Sequence, residues 1–445
     1  MNKASQSSLK QNRIGIIVNY LKFLIFSVFG VVLFFAPITI NGTSSIPLDH
    51  LISYINSVVP LLGEIFTLII ATIGGILPWV NKSFKKDALT FILSVFRTLG
   101  IPLCFMAFFN FGPEWLMAPD LLPFVWEKIA VAVTMIVTIG SIFLTFIMGY
   151  GLLEFTGVIV RPIMRPVYKV PGKAAINAVA SFIGSFSVAM FLTDKLYKES
   201  KYTYREAAIV MTGFSTVSAT FMIVIAKTAQ FMDMWNFYFW STLIITFAVT
   251  AITVRLYPIS KMNDAFLDGV GKPEVQLEGN IVKNAINEGV KMAASSKSLL
   301  KSLWGNLKGG IRMCFVLTPS ATAIGIFALI LVNMTPVFDI LGYLFFPFTY
   351  LLSVFGLPEP LFVAKASAVV LGEMFVPNLL VASLPAFSRY IVAVVSVSTI
   401  IFFAGFIPCL YATSIQLKPW ELLLIWFQRA SLSIILAGIV GLIFF

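Results

Sequence analysis

The sequence predicts an all-α polytopic membrane protein with about nine transmembrane helices plus two re-entrant helical hairpins in inverted repeats. Three observations carry that expectation: a composition too apolar for a water-facing surface, a series of apolar runs of membrane length, and two interrupted runs that recur in the same sequence context. Of 445 residues, 59% are hydrophobic and 11% charged, with a mean hydropathy of +0.94. A soluble domain carries about a quarter charged residues, so this chain cannot build a hydrated surface. The 43 Phe residues, set against an ordinary 29 Gly, show that the hydrophobicity comes from lipid-compatible side chains. Disordered and fibrous classes are excluded.

A hydrocarbon core about 30 Å thick needs roughly 20 apolar residues per helix. Runs of this kind lie at residues 22–40, 59–80, 88–110, 123–150, 205–228, 236–252, 311–333, 389–413 and 420–445. The first follows Lys3, Lys10 and Arg13 but is longer than a signal core and has no A-x-A site after it, so it is an uncleaved first helix. Its basic flank puts the N-terminus in the cytoplasm. The clusters Lys82, Lys85, Lys86; Arg161, Arg165, Lys169, Lys173; and Lys195, Lys198, Lys201, Arg205 then all fall inside. Segments assigned outside, around Asp49, Glu114 with Asp120, Asp233 and Asp339, are acidic. The net charge of +11 is therefore a topology signal, and the expected partner is the lipid bilayer, with no nucleic acid.

Several chemistries lack their residues. Cys104, Cys314 and Cys409 stand far apart with no CxxC pair, and His50 is the only histidine, so zinc, haem and His-based triads have no ligand set and no metal or cofactor is expected. No G-x-x-x-x-G-K-[ST], G-x-S-x-G or H-E-x-x-H is present, which leaves no nucleotide to drive transport and no support for an enzyme. Any transport is secondary or passive.

The chain compared with itself shows an ordered repeat. Glu154 and Gly157 before Pro162 are matched by Asp339 and Gly342 before Pro347. Proline punctuates both copies, at Pro171 and at Pro358 with Pro360. An Ala-rich arm then leads to Gly184 in one copy and Gly372 in the other, with Asn177 and Lys365 seven residues before each. Hydroxyl residues follow in a long apolar run: Ser215, Thr216 and Ser218, then Ser396, Ser398 and Thr399. The tips Gly184-Ser185-Phe186-Ser187 and Gly372-Glu373, with Pro377 and Asn378 beyond, interrupt the apolar stretches 174–195 and 362–383. Straight spans would bury these groups in lipid at a cost of several kcal/mol. Re-entrant hairpins avoid that cost, the first entering from the cytoplasm between Lys173 and Lys195 and the second from outside. Inverted repeats of this kind place substrate at the repeat interface. The expected units are scaffold helices at 1–151, a first gate repeat at 152–258, a cytoplasmic amphipathic linker at 259–303 and a second gate repeat at 304–445.

The block at residues 174–225, containing NAVASFIGSFSVAMFLTDKLYKESKYTYREAAIVMTGFSTVSATF, resembles the YjiH-like bacterial membrane proteins. These share a nucleoside-recognition gate domain with concentrative nucleoside transporters and ferrous-iron transport protein B. The resemblance implies a bacterial inner-membrane transporter, association of copies through the scaffold helices, and a substrate held at the hairpin tips by a Gly followed by an acidic or amide residue. Gly184, Ser185 and Ser187 would form one tip, and Gly372, Glu373 and Asn378 the other. The first tip departs from the nucleoside-transporter pattern, because it carries serines and neither carboxylate nor amide.

The expected site comprises Asn177, Gly184, Ser185, Ser187, Ser215, Ser218, Gly372, Glu373, Asn378, Ser396 and Ser398 toward a small-molecule solute, with Glu373 and Lys365 toward a coupling Na⁺ or H⁺. Glu373 is the sharpest of these, since an intramembrane carboxylate is costly and functional by default; a hairpin tip in plain water or pairing with Lys365 is its structural alternative. The serines are equally suited to close helix packing. Asp194 reads as a solvated cap, Arg97 as facing either a cavity or an acidic partner such as Glu64, and Arg429 as snorkelling inward. The function expected is secondary active transport of a small polar solute, nucleoside-like, amino-acid-like or peptide-like. The alternative is a non-transporting gate-domain factor acting in assembly or signalling, with residues 260–302 as its docking surface.

Overall fold

A computed structural model describes residues 3–36, 38–40, 43–85, 88–119, 121–183, 186–271, 279–296, 298–403, 405–411 and 413–445. The chain is all-α apart from one antiparallel hairpin, Ile38–Ile40 with Thr43–Ser45, in which Thr39 faces Ser44. The first helix, Lys3–Phe35, ends earlier than its expected boundary at residue 40. It stops just ahead of Pro37, because the residue before a proline is driven out of helical geometry.

Seven helices among the described residues are long and apolar enough to cross a membrane: Gly15–Phe35, Leu61–Val80, Thr90–Phe109, Leu122–Ile147, Trp235–Thr253, Leu299–Leu331 and Pro419–Phe444. The two other expected spans, 205–228 and 389–413, are each divided. The first becomes Tyr204–Phe214 and Ala219–Thr228, the second Ala386–Ser398 and Phe406–Tyr411. Hydropathy alone registers neither division, since both interruptions are made by residues that are themselves small or apolar.

A scaffold forms where Pro60–Val80, Ala88–Phe109 and Ala132–Met148 pack on the long helix Leu299–Met334. Lipid gives such helices little hydrophobic drive to associate, so close packing and hydroxyl contacts hold them. A side-chain carbon at Gly74 would stand 2.1 Å from the Phe315 carbonyl oxygen, and one at Gly100 2.3 Å from that of Pro319. Thr134 Oγ1 lies 2.7 Å from Thr318 Oγ1, and Asn306 Nδ2 donates to Thr145 Oγ1 at 2.7 Å. Cys104 and Cys314 are buried in the same bundle.

Around it the chain runs twice through one order of elements: a helical segment, a pair of short helices, a divided helix, and a long apolar helix. The first copy has Leu152–Ile163, the pair Ala174–Ile183 and Phe186–Lys198, the divided helix, then Trp235–Thr253. The second has Val337–Gly342 with Phe346–Ser353, the pair Pro360–Val369 and Val376–Leu380, the divided helix, then Pro419–Phe444. Phe186–Lys198 packs on Phe406–Tyr411, while Ala219–Thr228 packs on Val376–Leu380, so each pair meets the other copy's divided helix.

Within the linker, helix Ile281–Ser295 begins at Asn280, whose side chain caps the Val282 and Lys283 amides. Its small face, Ala285, Gly289 and Ala293, is buried within the chain itself, and Gly151 (φ +100°) meets it so closely that a side-chain carbon there would lie 2.1 Å from the Gly289 carbonyl oxygen. Before it, the exposed Asp268 accepts hydrogen bonds from the Gly271 and Val270 amides, which hold its carboxyl below the ordinary carboxylate range. Residues 272–278, including the expected break at Lys272 and Pro273, lie outside the described residues.

Because Gly100 meets backbone and not a movable side chain, Gly100→Leu is expected to lower stability by about 1–3 kcal/mol. Thermal unfolding of the detergent-purified protein checks this, with Gly15→Ala, exposed and inside a helix, as a control that loses no stability.

Candidate functional site

Helix Tyr204–Phe214 starts at a capping box in which Thr203 and Glu206 each bond the other's backbone N–H. It ends after 11 residues because hydroxyls take over the backbone bonding. Ser215 is the C-cap and its Oγ donates to the Val210 carbonyl; Ser218 then caps the next helix by accepting the Phe221 N–H. Between them, Ser181 from the first pair donates to the Thr216 carbonyl at 3.0 Å. Small hydroxyl residues thus open and reclose the helix with no proline.

The second division is more strained. Ile400 adopts φ +66°, an outlier for a β-branched residue, and the Ile401 N–H bonds back to the Thr399 carbonyl at 2.8 Å. Phe403 donates its N–H to the Leu371 carbonyl at the turn of the second pair, 2.8 Å away. The helix end left open is closed by Arg429. This fully buried guanidinium on Pro419–Phe444 donates to the Ser398 carbonyl (Nη2, 2.7 Å; Nε, 3.1 Å) and to the Thr399 carbonyl (Nε, 3.2 Å). A cation suits the negative end of a helix. Its Nη1 also donates to Thr250 Oγ1 at 3.1 Å, and Thr250 donates to the Gly213 carbonyl at 2.7 Å, at the end of the first divided helix. One chain of bonds therefore joins the two divisions. The expectation that Arg429 snorkels is corrected: unmet carbonyls inside the protein hold it there.

At the turn of the second pair, Glu373 is 3% exposed. Its Oε2 accepts the N–H groups of Phe375 at 2.6 Å and Val376 at 2.9 Å, opening the short helix Val376–Leu380. Pairing between Glu373 and Lys365 does not occur. Lys365 Nζ reaches Asp339 at 2.6 Å instead, because the arm is helical and carries residue 365 two turns away from the tip. Asn378 donates to the Met374 and Phe375 carbonyls and to Ser396 Oγ at 3.0 Å, tying the pair to the divided helix, and its buried Oδ1 has no partner among the described residues. Gly372 has ordinary room, its nearest contact 3.5 Å. Ser398 turns away to Ser433, 2.7 Å distant.

In the first pair, Asn177 is buried and bonds Thr193 Oγ1 at 3.1 Å and Tyr202 Oη at 3.4 Å, which uses it to tie the arms together well away from the turn. Gly184 and Ser185 lie outside the described residues, and Ser187 opens the second arm. Asp194 is not a solvated cap: 7% exposed, it pairs with Lys198 at 2.6 Å and accepts the Ser414 N–H at 2.8 Å. Arg97 lies toward Cys409 in place of the expected Glu64.

The pairs and divisions converge on one cavity of about 20 Å³, room for about one water. The first copy contributes Phe186, Val217 and Phe221; the second contributes Glu373, Met374, Phe375 and Phe402. The scaffold closes it with Val133 and with Met313, Leu317 and Ala321 of the long helix. Of the expected site residues, the structure brings Glu373 to this cavity, with Ser215, Ser218, Gly372, Asn378 and Ser396 in or beside the segments that line it. Asn177, Lys365 and Ser398 are held elsewhere. Arg429 and Thr250 are what a reading of individual spans misses; the available signal was a lone arginine in the last apolar run, following a helix rich in serine.

This is a multi-pass membrane protein, and comparison with known proteins places its core. Residues 130–232 match the Gate family, described as nucleoside recognition. The match covers the scaffold helix, the first pair and the first divided helix, and it bears out the resemblance to gate-domain proteins read from the residues. An uncharacterized protein of Alkalihalophilus pseudofirmus is 28% identical over 447 residues, 96% of this chain and 95% of that one. Among solved structures, a CNTnw variant in an outward-facing state is 14% identical, covering 97% of this chain and 99% of that chain, with a TM-score of 0.40. A CNTnw variant in its intermediate 1 state, also 14% identical with the same coverage, has a TM-score of 0.45.

Arg429→Met leaves the Ser398 and Thr399 carbonyls buried without donors, at about 1–3 kcal/mol for each unmet group. The expected outcome is a marked drop in melting temperature, with Arg429→Lys intermediate, measured by thermal unfolding in detergent.

Proposed function

We propose that the protein is a secondary active transporter of a small polar solute across the bacterial inner membrane, driven by H⁺ or Na⁺. Carrying this reading is one observation: both short-helix pairs and both divided helices meet at a single cavity that holds one carboxylate, Glu373. Irregular backbone at membrane depth is tolerated where it lines a cavity or is buried in protein, and such discontinuous helices are where transporters bind solute and ion. The two copies act as inverted repeats, the pairs as re-entrant hairpins opening to opposite sides, with the N-terminus in the cytoplasm. The Gate match supports a nucleoside-like solute, with amino-acid-like and peptide-like solutes as the other classes. Glu373, the free Oδ1 of Asn378 and the hydroxyls of Ser215, Ser218 and Ser396 supply the polar contacts once the pairs part. Copies associate through the scaffold.

The non-transporting alternative has less to rest on. Within its docking segment, residues 260–302, the helix Ile281–Ser295 already buries its small-residue face, Ala285, Gly289 and Ala293, within the chain.

Uptake into proteoliposomes of nucleosides, nucleobases, amino acids and short peptides, each with an imposed proton or Na⁺ gradient, tests the proposal. Glu373→Ala is expected to abolish uptake while folded protein is retained. A bound solute at about 100 times its dissociation constant stabilises the native protein by about 2.7 kcal/mol, so a thermal-shift panel identifies the class. Unchanged uptake in Glu373→Ala would sink the reading.

A further inference from the structure

We propose that Glu373 is a proton site: its carboxyl takes up and releases H⁺ as the coupling ion of the central cavity, with no metal cation bound there. The inference rests on the reading of that cavity as the transport site and decides between the two ions it admits.

The groups that face the carboxylate suit a proton and not a metal cation. Oε2 is occupied by the N–H groups of Phe375 and Val376, whose positive ends repel a cation approaching from that side. The remaining wall is hydrocarbon, phenyl rings from Phe186, Phe221, Phe375 and Phe402, and the side chains of Met313 and Met374. A hard cation exchanges its hydration shell for several oxygen ligands, and among the described lining residues no side chain other than Glu373 carries an oxygen. A proton requires one oxygen. The cavity has room for about one water, the carrier it needs: a hydronium ion delivers H⁺ to a carboxylate oxygen, an O–H bond forms, and neutral water remains. Release reverses the transfer.

Nor does any nearby charge keep the carboxylate permanently ionised. On the elements packed around it, Lys365 is paired with Asp339, and Asp194 with Lys198. Arg389 donates to the Ala229 carbonyl, and Arg429 to those of Ser398 and Thr399. Lys227 reaches Ser53, Arg312 of the long helix is exposed, and Arg97 lies toward Cys409. The two amides offset part of the cost of burying the charge, and protonation removes the rest, because a buried ionisable group without a counter-charge neutralises. Solute binding and proton binding then share one carboxyl, so occupancy of the cavity alters proton affinity and the reverse.

Infrared difference spectroscopy of the full-length protein in phospholipid vesicles tests this without requiring a known solute. Wild type is expected to show a protonated-carboxyl C=O band that grows as pH falls, shifts in D₂O, and stays unchanged when NaCl replaces choline chloride. Glu373→Gln, which keeps an acceptor for the two amides, is expected to lose it; Glu373→Asp is expected to retain a band at a displaced position. Absence of a Glu373-dependent band overturns the proposal, as does a band suppressed by Na⁺ or one identical in wild type and Glu373→Asp. Uptake in the same vesicles separates the two readings. Na⁺-driven uptake with no titrating band overturns the proton site and leaves transport standing, whereas a Glu373 band without uptake of any solute supports the proton site and counts against transport.

Discussion

Everything else in this molecule depends on meeting the backbone groups freed where two helices are divided inside an apolar protein. An unpaired amide or carbonyl in such surroundings costs several kcal/mol, so a divided helix persists only if neighbours supply partners. Here they do so from both copies. Ser181 and Ser218 serve the first division, and Arg429 with the Leu371 carbonyl serves the second. Thr250 stands between the two, donating to the Gly213 carbonyl of the first and accepting from Arg429, which bonds the second. The divisions are consequently parts of a single bonded assembly, and displacement of one disturbs the other.

That assembly explains the placement of charge. Arg429, Arg389 and Glu373 are all carried on elements of the second copy, and each meets the end of a helix. The two cations bond carbonyls at helix C-termini, and the carboxylate bonds amides at a helix start. All three follow the polarity of the helix dipole. These three charges are held by backbone groups, whereas Asp194 and Lys365 on the arms of the pairs are held by Lys198 and Asp339. Glu373 differs from the arginines in one respect, because it also borders the cavity. The same carboxylate that orders the turn of the second pair is thus the one charged group lining the cavity among the described residues.

Much of the fold was legible in the chain. Membrane-length apolar runs, the doubled order of elements and the two interrupted stretches all follow from hydropathy and from where Gly, Pro and charge fall. The candidate site was legible in part. Glu373 stood out because a carboxylate in an apolar run has few inert explanations. Asn177 and Lys365 were grouped with it because they occupy matching repeat positions, yet helical arms carry both away from the turns, where local partners, Thr193 and Asp339, hold them. Arg429 was misread since its partners are carbonyls 30 and 31 residues distant in sequence, and a carbonyl leaves no mark on residue identity.

By itself the sequence determined that the chain lives in lipid, that it is helical, that it repeats, and that one carboxylate sits where apolar side chains surround it. These properties reside in the residue types and their spacing, and every conformation of the chain shares them. Tertiary structure alone decided that spans 205–228 and 389–413 are divided, that Arg429 and Thr250 join the divisions, and that Glu373 faces a cavity made by both copies. The physical reason is that a division in a helix is stable only when distant groups arrive to bond its open ends. Which groups arrive is a property of packing.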